Sequence, residues 1–259
     1  MESIFSPEVF NTVLGVMIAL AVVVFFALHR ITAGYGMMYD RKWGPALNNR
    51  VGWVVMEAPV FFAMLLLWLL SPRRSEVAPA VMTCLFLYHY FQRSFIFPML
   101  IKGRSRMPLA IILCGIVFNL VNAYMIGGWL FYVSAPGTYP DSWLLSPCFI
   151  AGTLVFVAGN VINLHSDYII RHLRRPGDTR HYIPRGGMFR YVTSANYFGE
   201  LIEWTGYAIL IWSLPAAVFV LWTFANLAPR ARSLHARYES EFGDEYTALR
   251  RRYLLPFIY

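Results

Sequence analysis

Charged side chains are scarce in this chain of 259 residues, at 14%, and there are only three cysteines. The first scarcity sets it apart from ordinary soluble domains, in which about 25% of residues are charged. The second leaves no disulfide framework and no zinc site: Cys84, Cys114 and Cys148 are odd in number and isolated within or beside apolar runs. The histidines (His29, His89, His165, His172, His181 and His235) are scattered, with no paired histidine boxes. That argues against the di-iron chemistry of membrane desaturases and hydroxylases, and no metal is expected. No GxGxxG follows a strand pattern and there is no Walker loop, which excludes nucleotide folds of the soluble type. Internal repeats and low-complexity tracts are also missing.

Apolar surface is abundant. Hydrophobic residues make up 58% of the chain and the mean hydropathy is +0.50. A bilayer-spanning helix needs about 20 apolar residues. Runs near that length occur at Val9–Leu28, Val51–Leu70, Ala78–Phe97, Leu109–Val133, Trp143–Leu164, Tyr197–Trp212 and Leu214–Ala228. A tight turn around Ser213-Leu214-Pro215 separates the last two, since proline disrupts a continuing helix. The expected architecture is an all-α integral membrane protein with seven transmembrane helices. No soluble stretch is large enough to bury its own core, so residues 1–259 form a single membrane domain. The first run has no small-residue cleavage pattern and an acidic flank (Glu2, Glu8), so a retained helix is expected there rather than a signal peptide.

Charge orients this bundle. With seven crossings, segments 29–50, 98–108, 165–196 and 229–259 fall on one side. They hold every lysine and arginine except Arg73, Arg74 and Arg93. The positive-inside rule then places the N-terminus outside and the C-terminus in the cytoplasm, in a bacterial inner membrane or an endoplasmic reticulum. Topology and anionic membrane lipids account for the net charge of +8. Basic residues confined to short loops offer no nucleic-acid surface, and no obligate protein partner is implied.

Polar residues inside the apolar runs are costly and point to a site. Glu57 stands among apolar neighbours in Val54-Val55-Met56-Glu57-Ala58-Pro59-Val60. It is either a structural carboxylate paired with an arginine of another helix or a proton donor and acceptor. Tyr88-His89-Tyr90-Phe91-Gln92-Arg93 sets Tyr90 and Arg93 on one helical face, and His89 shares a face with Arg93. The alternative for these tyrosines is an interfacial belt, although Arg93 also requires an acceptor such as Glu57. Asn119 and Asn122 read as hydrogen-bonding glue between helices.

Two polar stripes follow. Asn160, Asn163 and Asp167 fall at i, i+3 and i+7, and Arg171 and Arg174 extend the row toward the cytoplasmic rim. Such a row suits an elongated ligand whose phosphates meet the arginines while an amide-bearing ring reaches Asn163 and Asp167. Asn196, Glu200 and Glu203 repeat the pattern at i, i+4 and i+7. Between the stripes, Arg185-Gly186-Gly187 offers backbone N–H groups to a phosphate. In the tail, Arg230, His235 and Tyr238 follow one helical face, and an ordinary solvated amphipathic helix is the plainer reading of that segment.

Particular motifs carry a resemblance. They are Asn163-Leu-His-Ser-Asp167-Tyr-Ile with Leu173-Arg174-Arg175-Pro176-Gly177-Asp178, and Ile183-Pro184 with Gly186-Gly187-Met-Phe. Ala195-Asn196-Tyr-Phe-Gly199-Glu200 continues into Glu203-Trp204, Gly206-Tyr207-Ala208. To these are added Glu57 with Pro59, His89-Tyr90-Phe91 with Arg93, and the final Pro256-Phe257-Ile258. Together they closely resemble the steroid 5α-reductases, over nearly the whole chain and most densely from 160 to 210.

The resemblance implies a seven-helix membrane oxidoreductase that uses NADPH to reduce the C4–C5 double bond of 3-oxo-Δ4 steroids to the 5α product. Glu57 and Tyr90 match the pair that holds the 3-keto oxygen. Asn163, Asp167, Arg174, Asn196, Glu200, His235 and Tyr238 match positions around the cofactor. Lys102, Arg104 and Arg230 match basic loop positions near its phosphates. Residues 1–133 would then build mainly the substrate pocket, and 134–259 mainly the cofactor-binding helices and cytoplasmic loops. Three positions depart from the pattern: Met56 replaces a glutamine, Phe97 a tyrosine, and Leu234 one of two adjacent histidines.

Two other classes share parts of the pattern. One is a membrane methyltransferase using S-adenosylmethionine, although the arginines suit a ligand with several phosphates better than a sulfonium. The other is a non-catalytic lipid or sterol-binding membrane protein, which would tolerate Asp167→Asn and Glu200→Gln. Within the reductases, a fatty enoyl or polyprenol enone is an alternative to a steroid.

Overall fold

A computed structural model describes residues 2–103, 105–175, 178 and 180–259. Its long helices start where the sequence supplies caps. Ser6 accepts a hydrogen bond from the Val9 N–H at the head of α1 (Pro7–Arg30), with Pro7 in the first turn. Asn48 does the same for α2 (Asn49–Leu70) through the Arg50 N–H. Next, α3 (Val77–Phe91) runs without a break through a π turn, Gln92–Ile96, into a last turn, Phe97–Leu100. The fourth helix, α4 (Leu109–Gly128), also ends in a π turn, Trp129–Val133. Ser146 and Pro147 open α5 (Pro147–His172). The chain then forms α6 (Ala195–Ile211) and α7 (Leu214–Phe242).

Five of these helices (α1, α2, α4, α5 and α7) are long and apolar enough to cross a membrane. As α-helices, α3 and α6 are shorter, at 15 and 17 residues. The bundle is inverted relative to a soluble protein. Leu66, Val117, Leu154 and Val161 are largely exposed on its outside, whereas Asn119, Asn122, Asn163, Asp167 and Glu203 are buried within it. That is the arrangement of a multi-pass membrane protein, whose apolar face meets hydrocarbon and whose polar groups find partners inside.

Three features differ from the sequence reading. The fifth apolar run was expected at Trp143–Leu164, but the helix opens at Pro147 and continues to His172, so Asp167 and Arg171 lie on the rod itself. The last helix does not stop at Ala228. It passes through Pro229 and continues to Phe242, carrying Arg230, His235 and Tyr238 on one rigid element. The fold is also not wholly helical, because β1 (Ala46–Asn48) pairs antiparallel with β2 (Arg106–Pro108) and ties two of the basic loops together. The turn at 213–215 is as expected: Trp212 adopts a left-handed conformation, Ser213 accepts from the Ala216 N–H, and Pro215 sits in the first turn of α7.

The closest pairing is between α5 and α6. A Cβ added at Gly159 would collide with the backbone of Glu203 and the Gly199 carbonyl, and one at Gly199 would collide with the backbone of Asn163 and the Gly159 carbonyl. Gly152 and Gly206 form a second such contact two turns away. Seven-residue spacing on each helix lets the two backbones touch, and this sets one polar stripe directly against the other.

Candidate active site

A cavity of about 1150 Å³ runs through the bundle. Glu57, His89, Tyr90, Trp204 and Phe219 line one part of it, and Lys102, Arg171, Arg174, Asp178 and Tyr238 line its polar mouth. A single drug-sized ligand occupies a pocket of roughly 300–1,000 Å³, so this chamber is larger than one such ligand requires.

In the inner part, Tyr90 is buried against Phe86 and Trp204, with ring centroids 4.7 and 5.7 Å away. Asn122 Nδ2 donates to the Tyr90 hydroxyl oxygen at 3.1 Å. With that oxygen engaged as an acceptor, the Tyr90 O–H is available to donate elsewhere. Asn119 Nδ2 donates to the Met56 carbonyl at 2.9 Å and to Glu57 Oε2 at 3.2 Å. The asparagines of α4 read as glue in the sequence. They do join helices, but their hydrogen bonds fall on Tyr90 and Glu57, the two residues the sequence singled out. A signal was present: Asn119 and Asn122 lie three apart, on one face.

Deeper toward the stripes, the π turn at Gln92–Ile96 aims Arg93 into the chamber. Its guanidinium lies over the rings of Trp53 and Phe97, 4.5 Å from each centroid. It faces Asp167 Oδ2 and Glu200 Oε2, each at 3.7 Å. Arg93 is therefore paired with the two stripes, not with Glu57 as its position in the sequence suggested. Phe97 forms one wall of that arginine cradle.

The stripes themselves are cross-linked. Asn163 Nδ2 donates to the Asn196 carbonyl at 2.9 Å, and Asn196 Nδ2 donates to Asp167 Oδ1 at 3.2 Å. Asp167 Oδ2, Glu200 Oε2 and Arg171 Nη1 are buried without a hydrogen-bond partner among the described residues. The two oxygens face Arg93 at ion-pair distance and still have room to accept a hydrogen bond from a ligand, and Arg171 has an N–H to donate farther out.

The remaining expected positions divide. Arg174, Lys102 and Tyr238 line the chamber, while Asn163 and His235 do not. His235 instead faces Thr193 Oγ1 at 2.6 Å and Tyr246 at 3.2 Å, and Thr193 donates to the Arg252 carbonyl. This clamps the C-terminal segment against the loop that leads into α6. Arg104 and the Pro176-Gly177 pair lie outside the described residues. At the mouth, Arg180 and then Tyr182 donate to Asp178 and hold its carboxyl well below the usual carboxylate range.

Arg230 has its N–H groups engaged by protein. It donates to the Tyr197 hydroxyl at 2.9 Å and to the carbonyls of Ala33 and Tyr35 at 3.1 Å each, and it lies 3.5 Å from the Tyr35 ring centroid. Burial pushes the Tyr35 phenol up to about 12, so a neutral ring meets the cation. Arg230 thus holds the loop after α1 over the chamber. Arg230→Met should remove one hydrogen bond from each carbonyl, leaving them the N–H groups of Tyr35 and Met38, at about 1.5–3 kcal/mol for each charge-assisted bond lost. The expected result is a lower Tm and faster proteolysis between residues 31 and 44. An unchanged Tm and digestion pattern would show that the clamp carries no weight.

A family model described as 3-oxo-5-alpha-steroid 4-dehydrogenase matches residues 105–259, which include both stripes and Arg230. This chain belongs to the 3-oxo-5-alpha-steroid 4-dehydrogenase family. It is 40% identical over 240 residues to 3-oxo-5-alpha-steroid 4-dehydrogenase 1 of Homo sapiens, covering 90% of each chain. The corresponding protein of Mus musculus is 39% identical over 243 residues, 92% of each. Steroid 5-alpha-reductase DET2 of Arabidopsis thaliana is 34% identical over 235 residues, 88% of each. Met56, Phe97 and Leu234, where the resemblance led one to expect other residues, all line the chamber wall. Met56 also fills the space over Gly115, so a glutamine there would change the shape and polarity of the inner chamber.

Proposed function

We propose that this protein reduces the C4–C5 double bond of a 3-oxo-Δ4 steroid with NADPH, giving the 5α product. The observation that carries the reading is the pairing, in one chamber, of a Tyr90 hydroxyl freed by Asn122 with the Glu57 carboxyl held by Asn119. The membrane topology proposed with it has seven crossings, the N-terminus outside and the mouth of the chamber facing the cytoplasm.

Reduction of an enone leaves negative charge on the carbonyl oxygen. A tyrosine O–H and a carboxyl in its acid form are donors suited to that oxygen in a site sheltered from water. Tyr90 and Glu57 hold the 3-keto oxygen in this reading, and the apolar wall of Trp204, Phe219 and Phe118 accepts the steroid rings. The polar half fits a nicotinamide dinucleotide. Its carboxamide N–H groups would meet Asp167 and Glu200, whose buried oxygens face Arg93 but accept no hydrogen bond among the described residues, and its phosphates would meet Arg171, Arg174 and Lys102. When bound, the reduced nicotinamide supplies the hydride that reaches C5. Arg93 keeps the two carboxylates together, while Asn196 and Asn163 fix the stripe against which the ligand lies. His235 and Tyr238 brace the surrounding cytoplasmic segment.

The test is incubation of purified protein with NADPH and a panel of enones. NADPH oxidation should depend on an added 3-oxo-Δ4 steroid, and the product should carry the 5α hydrogen. Turnover with fatty or polyprenol enones alone would move the substrate class. Copurified S-adenosylmethionine without reduction of any enone would overturn the reading.

A further inference from the structure

One buried ionisable pair beside the chamber has no part in holding the carbonyl or the cofactor. His89 Nδ1 lies 2.9 Å from Glu203 Oε1, although the two residues are 114 positions apart. Glu203 is fully buried and His89 nearly so. Asn160 Nδ2 donates to the same Glu203 oxygen at 3.0 Å, and the Trp204 ring packs on the imidazole with centroids 4.4 Å apart. The imidazole is therefore fixed on one edge and one face. Its remaining nitrogen, Nε2, has no hydrogen-bond partner among the described residues, and His89 lines the chamber next to Tyr90, with ring centroids 5.2 Å apart.

An enone reductase must place a proton on carbon as well as a hydride. Tyr90 and Glu57 are directed at the carbonyl oxygen, two bonds from the carbon that is protonated. Arg93 gives up no proton, because a guanidinium remains charged in proteins. An imidazole whose Nδ1 is held by a buried carboxylate presents Nε2 in one orientation, with its cationic form stabilised by that carboxylate.

We propose that His89, oriented by Glu203, delivers from Nε2 the proton taken up by the α-carbon of the enone. This rests on the reading of the chamber as an enone-reductase site. The β-carbon gains hydride from the reduced nicotinamide, the C4=C5 pair moves to C3–C4, and the carbonyl pair moves onto oxygen. The enolate pair then takes the proton from His89 Nε2–H to form the C4–H bond as the carbonyl returns. The N–H pair stays on Nε2 and leaves a neutral ring whose Nδ1–H remains on Glu203. Solvent at the mouth restores the proton. Glu203 acts as a positioning residue. The charged groups that bear on His89 are Glu203 and Glu200 of α6, Arg93 of its own rod and Glu57 of α2.

The experiment compares wild type with His89→Gln and Glu203→Gln, using NADPH and a 3-oxo-Δ4 steroid in H2O and in D2O. His89→Gln should bind nucleotide as wild type does and lose about 100- to 10,000-fold in kcat, the usual contribution of a positioned acid. Its solvent isotope effect should rise while the effect of deuterated cofactor shrinks, because protonation of carbon becomes the slow step. Glu203→Gln should keep nucleotide binding and move the alkaline limb of the kcat profile to lower pH. Turnover of His89→Gln close to wild type, or unchanged isotope effects, overturns the proposal. If His89→Gln fails to hold nucleotide, Glu203→Gln decides: an unmoved alkaline limb overturns the proposal, and a shifted one sustains it. A wild type inert toward every enone overturns the reading of the chamber, and the proposal falls with it.

Discussion

Tyr90→Phe is expected to lower kcat by about 100- to 1000-fold, the usual loss when one donor to a developing oxyanion is removed. Nucleotide affinity should hold, because Tyr90 lies in the inner chamber and the ring of Phe keeps its packing on Phe86 and Trp204. The variant also removes the acceptor for Asn122 Nδ2. That orphaned donor should cost about 1–3 kcal/mol of stability, which must be separated from catalysis. The double variant Tyr90→Phe with Asn122→Ala does this, since it recovers stability without recovering turnover. Glu57→Gln should behave similarly in kcat, with the Gln oxygen still accepting from Asn119. The measurements are steady-state kinetics, nucleotide titration and thermal unfolding. Wild-type turnover in both Tyr90→Phe and Glu57→Gln would remove the pair from the chemistry.

The second large effect is expected at a residue with no side chain. Gly199→Ala places a methyl group against the Asn163 backbone and the Gly159 carbonyl. A side chain can rotate away from such a contact, but two helix backbones can only separate. Overpacking of this kind costs about 1–3 kcal/mol. Separation of α5 from α6 would lengthen the Asn163–Asn196 and Asn196–Asp167 hydrogen bonds. Expressed in nucleotide affinity, that coupling is worth roughly 5- to 150-fold. Gly15→Ala on α1 is the control, because a methyl group there meets nothing within 4 Å and should give about 0.5–1 kcal/mol of added stability from helix propensity. If Gly199→Ala raises Tm as Gly15→Ala does and leaves nucleotide binding intact, the close backbone contact has no functional role.

Much of this could be read from the sequence, for an identifiable reason. Apolar runs of membrane length depend only on local composition, so all seven coincide with helical segments, five of them long and apolar enough to span. Residues sharing one face of one helix follow from the 3.6-residue repeat, which is why Asp167 and Arg171 could be assigned to a common row before any fold was known, whereas Arg174, expected on the same row, lies beyond the end of α5 at His172. Helix ends were less legible. The last apolar run ended at Ala228, yet α7 passes through Pro229 and runs on to Phe242, because the packing of Ala228, Ala231 and Leu254 there rewards continuation.

Pairings between helices were not legible at all. Nothing local says that Arg93 meets Asp167 and Glu200 rather than Glu57, that Asn122 serves Tyr90, or that His89 meets Glu203. The glycines at 152, 159, 199 and 206 were visible as letters, but their meaning depends on two backbones coming into contact. The sequence by itself determined the solvent this chain prefers, the rods it forms and the polar face of each rod, because those are properties of neighbouring residues. Only the tertiary structure decided which faces meet, because a hydrogen bond or a backbone contact between distant residues has no energy until the chain has brought them together.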